Sequence, residues 1–400
     1  MTTGGVVVTG LGAVCAAGES LPRIMDSLYS GRRNPSLPTS IQADLKSDYP
    51  VFEVRNPLDD LPAIPYKREP TRTTHLALIA AEEAIGSAGL DHRMLATGRV
   101  GVCLGTTVGC TLNNEPFYRE LRAGGYPDLA PVRRYLDGNP ASFLAEALGC
   151  TGPVAAAANA CSSGTDAIGL AKAWIETGQC DIAIAGGCDE LSRIPYLGFI
   201  HLMISSHQPC LPFDKNRKGL NLGEGAGVVV LESEARSRDR SADKLASVAG
   251  YASFADAHHP TAPHPEGRGL KLAIRQALQE AELAPDEIGF VSAHGTATAD
   301  NDLVEGRAVR EVLGGRVPVV ATKAYTGHTL GAAGALQAVF TVQALLDGRL
   351  PATAGFSTAD PEIGMEPTRE IVEIDARAAI SNSLAFGGNN SALIFRGGLR

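Results

Sequence analysis

The feature that most constrains the fold is an alternation, along the whole chain, of short apolar runs with alanine-rich helical stretches. Runs such as Val100–Leu104, Ile182–Ala185 and Val228–Leu231 are apolar at nearly every position rather than at every second one. This pattern is typical of strands buried on both faces, so helices must cover both sides of the sheet. The sequence therefore predicts a layered α/β protein.

The same pattern locates the individual elements. The predicted strands are Gly5–Thr9, Val100–Leu104, Val154–Ala156, Ile182–Ala185, Val228–Leu231, Ala246–Tyr251, Ile288–Ser292, Val317–Val320 and Leu393–Phe395. The predicted helices lie near His75–Ala88, Ser142–Leu148, Gly164–Thr177, Leu270–Ala281, Asp302–Leu313 and Gly334–Asp347.

Composition excludes several classes of protein. Hydrophobic residues make up 44% and charged residues 20% of the chain, which excludes disordered and fibrous proteins. The net charge of −9 argues against a nucleic-acid partner. No apolar run approaches the roughly 20 residues of a membrane span, and the N-terminus does not resemble a secretory signal. We therefore expect a cytoplasmic protein with no membrane partner.

The cysteine and histidine patterns do not indicate a metal site. All eight cysteines lie at or before Cys210 without a Cys-x-x-Cys pair, so most are expected to be buried thiols in a reducing compartment. His258, His259 and His264 share a loop with three prolines, which favours an ordinary loop. We expect no bound metal.

The order of elements suggests an internal duplication. The charged segment Glu232–Lys244 separates two stretches with a similar order of strands and helices. Each contains a glycine-bounded helix of equal length, Gly164–Gly178 and Gly334–Gly348. We predict two halves, residues 1–240 and 241–400, that form one layered body.

Cys161 is the first candidate catalytic residue. It lies between the strand near Val154 and an apolar-periodic helix, in the stretch Asn159-Ala-Cys-Ser-Ser-Gly. A helix N-terminus favours the thiolate, which is the nucleophilic form. A buried structural cysteine in a strand–helix turn explains this motif alone equally well.

Three further strand-end loops carry candidate groups. His294 follows the strand that ends at Ser292, and Lys323 and His328 follow the strand that ends at Val320. The stretch Ser381–Asn390 is typical of a glycine-rich turn whose backbone N–H groups suit an oxyanion hole. Each motif alone is weak, because a single histidine in such a loop is more often structural.

Together these motifs resemble the elongating β-ketoacyl-[acyl-carrier-protein] synthases of the thiolase superfamily. The resemblance runs from Val6-Val-Val-Thr-Gly-Leu-Gly through Pro212-Phe-Asp-Lys-Asn-Arg to Ser381-Asn-Ser-Leu-Ala-Phe-Gly-Gly. It implies a five-layered αβαβα fold made from two duplicated halves. A thiolase would need a second late cysteine, and initiating synthases carry Asn where this chain has His328.

The resemblance also implies an activity, that of a condensing acyltransferase. Cys161 would take an acyl chain, and the backbone N–H groups of Cys161 and Phe386 would bind the oxyanion. His294 and His328 would stabilise the enolate formed from malonyl thioester, and Lys323 would orient them. Each cycle would extend the chain by two carbons in fatty-acid synthesis. No cofactor is expected beyond the phosphopantetheine arm of the carrier protein.

Binding residues follow from the same resemblance. Thr296 and Thr298 match threonines that bind the pantetheine arm, although they also suit a simple turn. Phe386 matches a gating phenylalanine. Lys67, Arg68 and Arg72 are candidates for docking an acidic carrier protein; a plain solvated face is the alternative for Lys67 and Arg68.

Several questions stay open at the level of sequence. One alternative function is a ketosynthase subunit of a type II polyketide or aryl-polyene pathway, as a heterodimer with a chain-length partner rather than a homodimer. Another is a non-catalytic acyl-binding or chain-length subunit. Gln337 stands where many relatives have Glu, which puts any cation or charge network there in doubt, and Leu384 replaces a common Phe beside the gate.

Overall fold

The computed structural model describes residues 5–41, 48–55, 70–109, 111–137 and 139–398. The strands, β1 to β12 in chain order, are Val6–Cys15, Val100–Gly105, Val154–Ala157, Ile182–Asp189, Gly225–Ser233, Ala246–Ala255, Phe290–Ser292, Val319–Val320, Arg349–Leu350, Val372–Glu373, Ala378–Ala385 and Asn389–Arg396. The helices, α1 to α13, are Leu21–Tyr29, Arg72–Ser87, His92–Thr97, Thr111–Arg122, Ala130–Asp137, Pro140–Leu148, Ser163–Glu176, Arg193–His201, Glu234–Asp239, Arg268–Ala281, Ala299–Leu313, Lys323–Thr326 and Ala333–Asp347. Short 3-10 turns are formed by Ala160–Ser162, Pro285–Glu287 and Leu330–Ala332.

Ten strands form a continuous sheet whose two halves have the same topology. The strand order is β3-β2-β4-β5-β1-β6-β12-β11-β7-β8, and β1 meets β6 through the pairs Val7–Ser247 and Val8–Ala246. When the five sheet strands of each half are numbered in chain order, both halves have the order 3-2-4-5-1 from the outer edge to the centre. The parallel and antiparallel pairings also repeat. The duplication predicted from element order is present in the topology.

Five layers result from the way helices cover these sheets. Helices α7 and α13 pack on each other between the two halves of the sheet. Helices α2 and α6 cover the outer face of the first half, and α10, with α11 packed on it, covers the second. The predicted thiolase-like αβαβα architecture is therefore confirmed.

The crossing of α7 and α13 requires glycine. A Cβ atom on Gly164 would lie 2.7 Å from the carbonyl oxygen of Gly331 and 2.9 Å from the Cβ of Ala335. Because these distances are shorter than van der Waals contact, a larger residue would push the two helices apart. The close approach brings the N-termini of both helices to the same point.

The centre of the protein is apolar. Every residue of α13 from Ala333 to Val342 is buried. Within the described ranges, the segment Leu330–Asp347 is the one helical stretch long and apolar enough to cross a membrane, and 78% of it is buried inside the protein. Its hydrophobicity is explained by its place in the middle layer. Of the described cysteines, all are free thiols and all but Cys150 are buried.

The structure corrects some predicted elements. Most of Ser381–Asn390 is strand rather than turn, because β11 continues to Ala385 and the turn is confined to Phe386–Gly388. The predicted strand at Ile288 begins only at Phe290, since Pro285–Glu287 forms a 3-10 turn. Within the described residues, seven helices have no counterpart among the predicted ones: α1, α3, α4, α5, α8, α9 and α12.

Candidate active site

Cys161 lies in a tight turn between β3 and α7. The preceding residue, Ala160, has a φ of 48°, a left-handed conformation that is unfavourable for alanine. Two hydroxyls hold the Ala160 carbonyl: Ser163 Oγ donates to it at 2.6 Å and Thr107 Oγ1 at 2.9 Å. The turn therefore fixes the direction of the Cys161 side chain, which is 5% exposed.

The resting thiol is protonated at neutral pH. Burial raises the pKa of Cys161 to about 11, while the charge of Lys323 and hydrogen bonds from the backbone N–H groups of Phe386 and Cys161 lower it. The expectation that the helix N-terminus favours a thiolate is wrong for this state, because desolvation of the charged sulfur outweighs the favourable contacts. The same contacts bring the two predicted oxyanion-hole amides to the sulfur.

His294 and His328 face each other beside the thiol. Their ring centroids are 5.3 Å apart, with the planes at 84°. His328 Nδ1 accepts a hydrogen bond from Leu330 N at 3.2 Å, and His294 Nδ1 accepts one from Lys323 Nζ at 3.2 Å. Both rings therefore carry their proton on Nε2. Burial and the nearby Lys323 charge hold the pKa of each histidine well below 6.5, so both are neutral.

Lys323 is buried among groups that fix its ammonium. Its Nζ donates to His294 O at 2.6 Å and to Gln337 Oε1 at 2.5 Å, in addition to His294 Nδ1. Burial lowers its pKa to about 8, and the Glu305 charge opposes that shift. Lys323 thus contacts His294 directly, as predicted, but it does not bond to His328.

A buried carboxylate shapes the His294 loop. Glu305 on α11 accepts hydrogen bonds from His294 N at 2.7 Å and from Gly295 N at 2.8 Å. Burial raises the pKa of Glu305 to about 7. Glu305 is not among the site residues predicted from the sequence, although it lies within the helix predicted to follow the His294 motif.

Asp302 holds the next part of the loop in the same way. Its carboxylate accepts hydrogen bonds from Thr296 N at 3.0 Å and Ala297 N at 3.1 Å. The hydroxyls of Thr296 and Thr298 are then 2.9 Å apart. An acidic residue in the first turn of a helix behind a functional loop is the sequence signal that would have found Asp302.

Asp189, at the end of β4, was also missed by sequence reasoning. It is fully buried and accepts hydrogen bonds from Thr106 Oγ1 at 2.6 Å, Thr107 N at 2.8 Å and Gly331 N at 2.6 Å. Burial raises its pKa to about 6. It joins the loop beside Cys161 to the turn that follows His328.

The cysteine and both histidines line one cavity of about 290 Å³, whereas Lys323 and the three buried carboxylates do not line it. Its wall includes six predicted residues: Cys161, His294, His328, Thr296, Thr298 and Phe386. Phe199 and Met203 of the α8 region also line it, and the Phe199 ring stacks on Phe386 with centroids 5.4 Å apart. The structure therefore joins residues from four separate motifs in a single site.

Comparison with known proteins decides the family. The family model described as "Beta-ketoacyl synthase, N-terminal domain" matches residues 4–237, and the one described as "Beta-ketoacyl synthase, C-terminal domain" matches residues 245–357. The chain belongs to the beta-ketoacyl synthase family. It is therefore a condensing acyltransferase.

This ketosynthase is similar both to a 3-oxoacyl-[acyl-carrier-protein] synthase and to a polyketide beta-ketoacyl synthase. The 3-oxoacyl-[acyl-carrier-protein] synthase 2 of Staphylococcus aureus (strain COL) is 32% identical, and the alignment covers 98% of each chain. The putative polyketide beta-ketoacyl synthase 1 of Streptomyces halstedii is 35% identical over 98% of each chain. A chain of the solved structure titled "The ishigamide ketosynthase/chain length factor" has a TM-score of 0.92 at 32% identity, covering 98% of this chain and 99% of that one.

Of the three residues predicted to dock the carrier protein, the structure describes Arg72. Lys67 and Arg68 lie outside the described residues. The Arg72 guanidinium bonds Glu224 Oε2 at 2.8 Å and Val54 O at 2.9 Å, so it has an internal structural role that the sequence did not indicate. Its part in docking stays a prediction.

The histidine loop lies at the surface beside the cavity. The His258 and His264 rings are 5.1 Å apart, and the backbone N–H of His264 donates to Asp256 at 2.9 Å. In the part of the chain that the structure describes, no group of three or more His, Cys, Asp or Glu side chains is arranged to hold a metal ion.

Proposed function

We propose that this ketosynthase extends carrier-bound acyl chains by decarboxylative Claisen condensation, with Cys161 as nucleophile and His294 and His328 as enolate-stabilising donors. The observation that carries the proposal is the shared cavity, where a thiol, two Nε2–H imidazoles and two backbone N–H groups converge. Claisen chemistry requires a nucleophile and hydrogen-bond donors for two successive oxyanions.

The first half-reaction transfers the acyl group to Cys161. The sulfur attacks the thioester carbonyl, and the N–H groups of Cys161 and Phe386 bind the resulting oxyanion. The C–S bond to the carrier then breaks, and the departing thiolate takes up the proton that Cys161 has lost. Because the thiol proton ends on the leaving group, the step needs no net base, despite the raised pKa of Cys161.

The second half-reaction forms the new carbon–carbon bond. Malonyl thioester loses CO2, and the electron pair of the broken bond passes into an enolate. Nε2–H of His294 and of His328 donate to the enolate oxygen, as neutral imidazoles can. The enolate carbon attacks the acyl–Cys161 carbonyl, the acyl C–S bond breaks, and the released cysteine thiolate takes a proton from solvent water. Lys323 holds His294 in the required tautomer through Nδ1.

The substrate carrier in this proposal is an acyl carrier protein, as the name of the Staphylococcus aureus relative indicates for that enzyme. Its phosphopantetheine arm would reach Cys161 past Thr296 and Thr298, which both line the cavity. The protein itself would need no other cofactor, and we place it in the cytoplasm. The boundary of the two halves is proposed at residue 240, in the connection between β5 and β6.

A dimer is the proposed assembly. Strand β3 is the outer strand of its sheet and bonds only to β2 among the described strands, with Val154 41% exposed. Such an edge is suited to pairing with a second chain. Helices α4 and α5, which pack on each other, and the loop between them also expose apolar side chains: Tyr118, Leu121, Tyr126, Leu129 and Leu136. A homodimer satisfies both features.

A second candidate function is a specialised polyketide or polyene ketosynthase that pairs with a chain-length partner. The observation that favours it is similarity to the Streptomyces halstedii polyketide synthase and to the ishigamide ketosynthase/chain length factor structure. The same Cys161 and histidine chemistry would apply. The two candidates differ in the acyl chain that is accepted and in the need for a second subunit.

Intact-mass analysis separates these hypotheses. The protein is incubated with acyl carrier proteins charged with saturated, polyunsaturated or aryl chains, and malonyl carrier protein is then added. We expect an acyl adduct that is lost in Cys161→Ala and retained in Cys180→Ala, which removes another buried thiol. Discharge of the adduct into a β-ketoacyl product supports the proposal. Condensation that persists in Cys161→Ala overturns it.

A further inference from the structure

Gln337 occupies the centre of the polar cluster behind His294. It lies on α13 and is 1% exposed. The side chain makes four hydrogen bonds, which together fix the direction of its amide group.

The orientation of the amide follows from its partners. Gln337 Oε1 accepts from Lys323 Nζ at 2.5 Å, so the oxygen must face the ammonium. Nε2 donates to three backbone carbonyls, at 3.4 Å to Ser292, 3.1 Å to Ala293 and 3.1 Å to Asn382. One neutral side chain thereby connects the end of β7 and the middle of β11 to the lysine that touches His294.

A carboxylate could accept from Lys323 but could not donate to the three carbonyls. In a Gln337→Glu variant, a carboxylate oxygen would replace Nε2 and would face three carbonyl oxygens, which also carry negative partial charge. Such an arrangement would require a proton or a bridging monovalent cation to relieve the repulsion. The native Gln337 supplies N–H donors there, so the repulsion does not arise.

The groups around Gln337 do not suit a cation in the native chain. The three carbonyls already accept from the Gln337 amide, and the Lys323 charge lies against the other end of that amide. The hydroxyls of Ser292 and Ser381 and the Asn382 amide are buried without a hydrogen-bond partner among the described residues. Hydroxyl and amide groups of this kind are uncharged and suit water.

We propose that Gln337 is a positioning residue that uses a neutral amide to hold Lys323 against His294, so that this ketosynthase works without a monovalent cation at this site. The inference rests on the proposed role of His294 in decarboxylation. It assigns Gln337 no contact with substrate. It acts by keeping the Lys323 ammonium on His294 Nδ1, which leaves the His294 proton on Nε2.

Other charged or titratable groups also face Lys323. They are His294 beyond β7, Asp302 and Glu305 on α11, Cys161 before α7, Cys210 in the loop before β5, and His328 beyond α12. All of these groups are retained when Gln337 is changed. A difference in activity between the variants is therefore caused by the loss of the Gln337 amide.

The test compares Gln337→Glu and Gln337→Met with the wild type and with Gln279→Glu, the same chemical change at an exposed position of α10. Malonyl decarboxylation, condensation and Tm are measured in KCl, NaCl and choline chloride at constant ionic strength. We expect the wild type and Gln279→Glu to show no change between the salts. In Gln337→Glu, choline should lower kcat about tenfold relative to KCl or NaCl, and K⁺ or Na⁺ should raise its Tm. A wild type that loses activity or Tm in choline overturns the proposal.

The Gln337→Met variant tests positioning separately from stability. Loss of the acceptor disfavours the charged lysine, so the alkaline limb of the decarboxylation pH profile should move to lower pH, and the carboxylate of Gln337→Glu should move it higher. A purely structural role would lower the rate without moving the limb, and that result overturns the proposal. Acylation of Cys161, measured by mass, should persist in both variants. A wild type that is not acylated contradicts the proposed function instead.

Discussion

The Asp189 carboxylate accepts the backbone N–H of Gly331 at 2.6 Å, so a strand of the first half holds the turn that follows His328 in the second half. The same carboxylate holds Thr107, whose hydroxyl bonds the carbonyl before Cys161. The positions of the nucleophile and of one enolate donor therefore depend on a single buried side chain.

Asp189→Asn tests this relationship. The NH2 group of the new amide would face one of the backbone N–H groups that now donate to Asp189, and two donors cannot form a hydrogen bond. We therefore expect kcat to fall about 10- to 100-fold. The pKa of Asp189 is raised to about 6, so the carboxylate gains a proton as the pH falls through that value and loses acceptor capacity. The wild-type rate should therefore decline below about pH 6, and this acid limb should be absent in the Asn variant. An unchanged limb would show that another group titrates.

Replacing His294 or His328 with Ala should separate the two half-reactions. Each variant loses one Nε2–H donor to the enolate, which corresponds to a loss of about 100- to 1000-fold in malonyl decarboxylation. Acylation of Cys161 uses backbone donors and should proceed at close to the wild-type rate. Decarboxylation is followed as CO2 release and acylation as the intact mass. Equal loss in both assays would contradict the assigned roles.

The alkaline limb of activity should come from Lys323. Burial lowers its pKa to about 8, so above that pH the side chain loses its proton and its charge beside His294. We expect decarboxylation to fall as the pH rises through about 8. Lys323→Met should be slow at all pH values and should lack this limb. A wild-type rate that stays constant across this alkaline range would contradict the assignment.

The crossing of α7 and α13 makes a prediction about stability. In Gly164→Ala the added Cβ would lie within 3.0 Å of Gly331 O and Ala335. We expect the free energy of unfolding to fall by about 1–3 kcal/mol, measured by denaturant unfolding. Gly86→Ala in α2 is the control, since its Cβ would meet nothing within 4 Å, and it should be neutral or stabilising. Equal effects at the two sites would contradict close helix contact.

The threonine pair should act on substrate binding. Thr296→Val and Thr298→Val each remove a hydroxyl from a residue that lines the cavity, so we expect KM for the carrier substrate to rise about fivefold, equivalent to ~1 kcal/mol, with kcat retained. If the hydroxyls only close the turn, Tm will fall and KM will not change. Steady-state kinetics and thermal unfolding on the same samples distinguish these results.

Some parts of the fold could not be predicted because their residue types mislead. Strand β11 contains Ser381, Asn382 and Ser383, which are typical turn residues although all three are fully buried. The Ser383 hydroxyl is satisfied by a distant residue, because it shares a hydrogen bond with the Thr165 hydroxyl at 2.8 Å. Local sequence carries no record of that partner.

Local sequence patterns are sufficient to predict the layered α/β class, the duplicated order of elements, and the strand-end placement of Cys161, His294, Lys323 and His328. These features depend on burial patterns and turn chemistry within short stretches, which periodicity and glycine positions report directly.

The ionisation and orientation of those groups depend on contacts that form only in the folded protein. The raised pKa of Cys161, the engagement of Arg72 by Glu224 and the four hydrogen bonds of Gln337 all arise between residues far apart in the chain. Burial removes water from such groups, so their ionisation and orientation are set by whichever partners packing brings within hydrogen-bond distance.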